Sequence, residues 1–101
     1  MNELEKVLEK HLKNIEYRFK RIPKSNKHSG ILAEIQNKLE STQIFAKEAE
    51  KIVNDEADSM LKYINTNLTD KHTQEEVSKF IAEARKKLSD VLQKGIKDSL
   101  K

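Results

Sequence analysis

Apolar residues recur every three or four positions in three separate stretches of this chain. This spacing is typical of one face of an α-helix. Pro23 disfavours helical geometry at the residue before it, so the first stretch should end near Arg21. We therefore predict a first helix over about residues 2–21, with Asn2 and Glu5 as a capping box. Its apolar face is Leu4, Leu8, Leu12, Ile15, Phe19 and Ile22.

The second stretch contains neither Gly nor Pro between residues 31 and 68. It predicts a helix over about residues 31–66, with Ser29 as its N-cap, which is much longer than an average helix. A kink at Asn54–Asp55, where the Asp side chain begins a second helix, is the alternative. The apolar positions are Ile31, Leu32, Ile35, Leu39, Phe45, Ala46, Ala49, Ile52, Val53, Ala57, Met60, Leu61 and Ile64.

The third stretch opens with the clearest local signal in the chain. Thr73 followed by Glu76 matches a capping box, and a polar linker precedes it. We predict a third helix over about residues 74–99, with Gly95 marking fraying or a close contact near its end. The apolar positions are Val77, Phe80, Ile81, Ala84, Leu88, Val91, Leu92, Ile96 and Leu100.

Three such helices predict an all-α fold, either an antiparallel three-helix bundle or an extended helical hairpin with a long central helix, as one domain over residues 1–101. We expect helix 1 to cover the first half of helix 2 and helix 3 the second half, which leaves part of the apolar stripe open. Exposed apolar strips mark partner surfaces, so self-association is favoured over a kinked, compact monomer. The expected interface residues are Leu39, Phe45, Ile52, Val53, Met60 and Ile64.

Charge adds a second candidate site to this picture. The chain carries 20 Lys and Arg against 17 Asp and Glu, a net charge of +3, but residues 17–33 contain no acid. A basic cluster beside the start of helix 2 could bind phosphate or nucleic acid. The alternative is a solvated connection whose charges complement helix ends. The candidate anion ligands are Arg18, Lys20, Arg21, Lys24, Lys27 and His28.

Other chemistry is missing from the sequence. There is no Cys, no two His are three or four residues apart, and the two Gly are isolated, so thiol chemistry, paired-histidine metal sites and phosphate loops find no support. We expect no enzyme activity, no cofactor and no metal. The acidic N-terminus does not resemble a signal peptide, and no apolar run is long enough to span a bilayer, so we expect a cytoplasmic protein without a membrane partner.

These observations favour a small non-enzymatic protein–protein interaction or assembly module, such as an adaptor, an inhibitor or a chaperone-like partner. It would form homo-oligomers through the long central helix, in a coiled-coil or helix-in-groove mode. The alternative is a binder of nucleic acid, or of a nucleotide or other phosphorylated ligand, at the basic end around residues 18–28.

Overall fold

A computed structural model describes residues 3–68 and 72–100 of the chain, and those residues form three α-helices. Helix α1 spans Glu3–Lys20, α2 spans Ala33–Asn67 and α3 spans Gln74–Ser99. The prediction of an all-α fold with a long central helix is confirmed. The expected cap at Asn2 lies outside the described residues.

The helix ends show where local sequence decides the structure. The backbone N–H of Glu76 donates to Thr73 Oγ1 over 3.1 Å, so α3 begins at the predicted cap. The prediction of Ser29 as N-cap is wrong, because α2 begins at Ala33 after Leu32, without a side-chain cap. Gly30 has a φ of 105°, a left-handed conformation that favours glycine, and the chain needs one further turn before the helix starts.

Helix α2 is continuous over 35 residues and passes through Asn54 and Asp55 within the helix. The kink considered from the sequence is absent. Asp and Asn tolerate a helix interior when packing on neighbouring helices supplies the stability. Here that support comes from the flanking buried residues Ile52, Val53, Met60 and Ile64.

Both shorter helices pack against the C-terminal two thirds of α2. Helix α1 is antiparallel to it, since Phe19 meets Phe45 edge to face and His11 lies beside Glu56. Helix α3 approaches the same region, because the Gly95 position lies against the Phe45 ring. The prediction that α1 covers the first half of α2 is therefore wrong. Residues 21–32 do not form a short turn but run back along that first half.

The core lies where all three helices overlap. The apolar faces predicted from the sequence meet there, and the small residue Ala49 is fully buried among them. The most buried side chains are Leu4, Leu8 and Ile15 of α1, Ala49, Ile52, Val53, Met60 and Ile64 of α2, Leu68 just after it, and Phe80, Ala84 and Leu88 of α3.

The molecule is a rod of 60 × 18 × 18 Å. Its length comes from α2, whose first turns extend beyond the three-helix region. We call residues 31–43 the projecting segment. Among the described residues, none of the helices combines the length and apolar character needed to cross a bilayer.

Candidate interaction surface

One side of the projecting segment is covered by the connection between α1 and α2. The backbone N–H of Ser25 donates to Ser41 Oγ over 2.7 Å. The backbone N–H of His28 donates to Asn37 Oδ1 over 2.9 Å, and Asn37 Nδ2 donates back to the His28 carbonyl over 3.3 Å. These bonds replace the backbone partners that an extended segment lacks, and they hold the connection along α2.

Glu40 is the ionic centre of this contact. Its carboxylate lies 3.0 Å from Lys27 Nζ and 2.5 Å from His28 Nε2. Hydrogen bonds from the Lys27 side chain and then from His28 hold the pKa of the Glu40 carboxyl below its ordinary value. A carboxylate that is ionised more readily in the folded chain strengthens the attachment of the connection at neutral pH.

The other side of the projecting segment is apolar and open to solvent. Ile31 is fully exposed at 101%, while Leu32, Ile35 and Leu39 are exposed to 59%, 61% and 59%. Ile35 and Leu39 are four residues apart on one face of α2, and Ile31 and Leu32 precede them in the turn that leads into the helix. Single exposed apolar residues are normal on a protein surface, but four that lie so close together form a patch.

This patch continues the stripe that forms the core of the bundle. The positions alternate in steps of three and four along α2, which is the spacing of a coiled-coil seam. From Ala49 onwards the side chains on this stripe are buried, whereas at Leu39 and before they are exposed. The stripe consists of Leu32, Ile35, Leu39, Thr42, Ala46, Ala49, Val53, Glu56 and Met60.

Beside the patch lies a groove of about 860 Å³. It is bounded by the end of α1, the connection, the projecting segment and the end of α3. Phe19, Phe45 and Gly95 form its floor, and the Phe rings meet edge to face with centroids 5.3 Å apart. Charges of both signs line its rim, namely Lys20, Lys24, Lys38 and Lys94 with Glu16, Glu34 and Asp98.

Of the interface residues predicted from the sequence, some are buried in the structure and others are exposed. Ile52, Val53, Met60 and Ile64 are buried inside the chain, since α1 and α3 pack on this part of α2. Phe45 is half-buried in the groove floor, and Leu39 is exposed. The surface that is free for a partner is therefore at the start of α2. Ile31, Leu32 and Ile35 belong to it and were missing from the predicted set, although the same periodicity includes them.

The basic cluster predicted from the sequence does not form one site. Arg18 Nη2 lies 3.6 Å from Asp55 Oδ2, and Arg21 stacks on the Tyr17 ring and donates to its hydroxyl. Lys27 and His28 both face Glu40, as described above. Lys20 and Lys24 are the two candidates on the rim of the groove. The cluster is separated because successive side chains on a helix and on an extended segment point in different directions.

The remaining histidines form pairs rather than clusters. His11 Nδ1 lies 3.5 Å from Glu56 Oε2 in the bundle core, and both side chains are buried. His72 Nδ1 lies 3.1 Å from Glu76 Oε2, a pair whose signal is the four-residue spacing in the sequence. Across residues 3–68 and 72–100, no three His, Cys, Asp or Glu side chains converge as a metal site would require.

Comparisons with protein-family models, with curated proteins and with solved structures each find no match to this chain. The functional argument therefore depends on the geometry of the projecting segment and of its groove.

Proposed function

We propose that this chain is a non-enzymatic protein–protein interaction module that self-associates through the projecting segment. The observation that supports the proposal is the continuity of one stripe from the core into solvent. The same three-and-four spacing that packs helices together inside the bundle is unoccupied at Leu32, Ile35 and Leu39. A helix is the element that fits such a seam.

The size of the patch indicates the strength of the association. Complete burial of a Leu or Ile side chain contributes at most about 1.5–3 kcal/mol, and these side chains are already partly covered. Association costs about 4–15 kcal/mol in lost translational and rotational freedom. The free energy gained by burying the patches of both copies together exceeds the lower part of this cost. We therefore expect a dimer that forms at micromolar concentrations rather than an obligate, extensively buried oligomer.

The alternative proposal from the sequence is binding of a phosphorylated ligand or nucleic acid around residues 18–28. Three of its six candidate residues, Arg18, Lys27 and His28, lie beside carboxylates within the chain. An anion would have to compete with Asp55 and Glu40 for these groups. The geometry therefore favours the apolar surface over the basic one.

Sedimentation velocity at 5–200 μM, roughly the range implied by weak apolar association, tests the proposal. We expect concentration-dependent dimers for the natural chain and a monomer for Leu39→Glu, because a buried unpaired carboxylate opposes docking. Tyr63→Glu is the matched control, since Tyr63 is also exposed on α2 but lies outside the projecting segment.

Two results would contradict the proposal. One is an 11.7 kDa monomer throughout the concentration range. The other is loss of the dimer in Tyr63→Glu but not in Leu39→Glu, which would place the contact on another part of α2. Circular dichroism of each variant establishes that the helices are retained before either result is interpreted.

A further inference from the structure

We infer that the occupant of this surface is the projecting segment of a second copy, running antiparallel about a two-fold axis. The inference rests on the proposed self-association and adds its direction, its register and the contact at its ends. Four features of the structure support this arrangement: the width of the bundle, the position at which α3 ends, the charges at the helix ends, and the exposed apolar residues at those ends.

The width of the bundle opposes a parallel pair. Two helices in contact have their axes about 8–10 Å apart. Each three-helix region is 18 Å wide, and α1 and α3 pack on the same stripe that the projecting segment exposes. A parallel pair would bring the two bundles into the same space just after residue 43. An antiparallel pair places them at opposite ends, so the segments can approach without a clash.

The end of α3 leaves room for a helix of the required direction. Gly95 lies against Phe45, and α3 ends at Ser99, about one turn farther along. Beyond that point the stripe of α2 has lost the neighbour that covers it in the bundle. A second copy's projecting segment, antiparallel to α2, runs in the same direction as α3. It therefore continues the path of α3 over Ile35 and Leu39.

The helix ends are electrostatically complementary in this arrangement. The N-terminus of α2 carries a partial positive charge and lacks a side-chain cap, while the C-terminus of α3 carries a partial negative charge. The antiparallel pair brings these opposite ends together twice. Glu34 in the first turn of α2 would also come near Lys94, on the groove rim of the other copy. A parallel pair would instead place two positive N-termini side by side.

Exposed apolar residues at the same ends support the contact. Leu100, which follows α3, is exposed to 53%, and Ile31 before α2 is fully exposed. The antiparallel pair brings Leu100 of one copy towards Ile31 of the other. Both side chains would leave water on dimerisation, which explains two apolar residues that the monomer leaves uncovered.

The stripe also gives the register. Successive residues of the stripe are separated by three or by four positions. In an antiparallel coiled coil, a residue followed by a spacing of three packs opposite a residue of the other helix that is followed by a spacing of four. The overlap of residues 31–43 is then centred at Asn37. In this register Ile35 of one copy faces Leu39 of the other, and Leu32 faces Thr42. No charged side chain occupies these four facing positions, so no charge repulsion between them opposes the pairing of two projecting segments.

Disulfide trapping tests this geometry, because the natural chain has no Cys and each introduced thiol is unique. The variants are Ile35→Cys and Leu39→Cys, oxidised separately and as an equimolar mixture. One variant is labelled with ¹⁵N, since the two have the same mass otherwise. Non-reducing mass spectrometry then distinguishes mixed from homotypic disulfides. Tyr63→Cys, mixed with each of these two variants, gives the rate at which disulfides form by random collision.

We expect the mixed 35–39 disulfide to form at least about ten-fold faster than either homotypic one. Like residues are offset by four positions in this register, about 6 Å along the axis, which exceeds the reach of a disulfide after the lateral separation is added. Rapid 35–35 and 39–39 disulfides would overturn the antiparallel arrangement while retaining self-association. Crosslinking no faster than that of Tyr63→Cys, in a chain that sediments as a dimer, would place the contact elsewhere. A monomer by sedimentation would instead contradict the proposed function itself.

Discussion

At Gly95, a residue without a side chain allows three helices to approach one another. A Cβ at this position would lie 2.8 Å from Phe19 Cε2 and 3.2 Å from Phe45 Cζ. Glycine in a helix costs about 1 kcal/mol relative to alanine. The close approach of the two rings offsets this cost, because it closes the end of the core and forms the floor of the groove. The expectation of a close contact at Gly95 is thereby explained.

Gly95→Ala should destabilise the chain although it improves helix propensity. The new methyl group displaces the Phe19 ring and disturbs its edge-to-face contact with Phe45, and overpacking of this kind costs about 1–3 kcal/mol. The propensity gain recovers about 1 kcal/mol. We expect the free energy of unfolding to fall by about 1 kcal/mol in urea titrations, with an unchanged slope.

The double variant Phe19→Leu, Gly95→Ala identifies the cause. With the Phe19 ring removed, the closest contacts of the methyl group are relieved and Phe45 Cζ at 3.2 Å remains, so Gly95→Ala should destabilise less in the Phe19→Leu background than in the natural chain. If Gly95→Ala is equally destabilising in both backgrounds, the Phe19 ring is not responsible.

Among the elements, the helices could be predicted from local sequence, but the conformation of the connection between α1 and α2 could not. Thr73 caps α3 as predicted because its hydroxyl acts on a backbone N–H three residues away, a contact within one short segment. Pro23 and Gly30 indicate a break but not the conformation between them. That conformation depends on Ser41 and Asn37, which lie 16 and 9 residues from their partners. The position of α1 along α2 follows from the length of this segment, so it was not predictable from periodicity.

The attachment of the connection should depend on pH through Glu40. Because the pKa of Glu40 is lowered in the folded chain, its contribution is fully present above the ordinary value of 4.5 and is lost as pH falls through the lowered value. We expect the NMR chemical shift of the Ser25 amide, which donates to Ser41 in the same connection, to change as the pH falls below about 4.5.

Glu40→Gln tests the assignment of this effect. The neutral amide removes the ion pair with Lys27 at every pH, so the chemical shift of the Ser25 amide should lose its acid transition. Glu50→Gln is the control, since Glu50 is exposed on α2 away from the connection. An unaltered acid transition in Glu40→Gln would assign it to another group.

In the whole molecule, one uniform stripe serves two purposes because the three helices differ in length and position. Leu39 and Val53 are equivalent by spacing, yet Leu39 is exposed and Val53 is buried. The difference arises because α1 ends near Phe45 and α3 ends about one turn beyond it, while α2 continues. Sequence periodicity therefore predicted that part of α2 would be open and included Leu39 in it, but it placed most of the open part too far along the helix. Four of the six predicted interface residues stabilise the monomer instead.

The antiparallel dimer should be a long rod, which small-angle X-ray scattering can measure. Two molecules of 60 Å that share a segment of about 20 Å give a maximum dimension of about 100 Å. A side-by-side dimer would keep the maximum dimension near 60 Å and would increase the cross-section instead. Leu39→Glu provides the monomer reference under the same conditions, with a length near 60 Å. A dimeric mass combined with the monomer's length would contradict end-to-end overlap through the projecting segments.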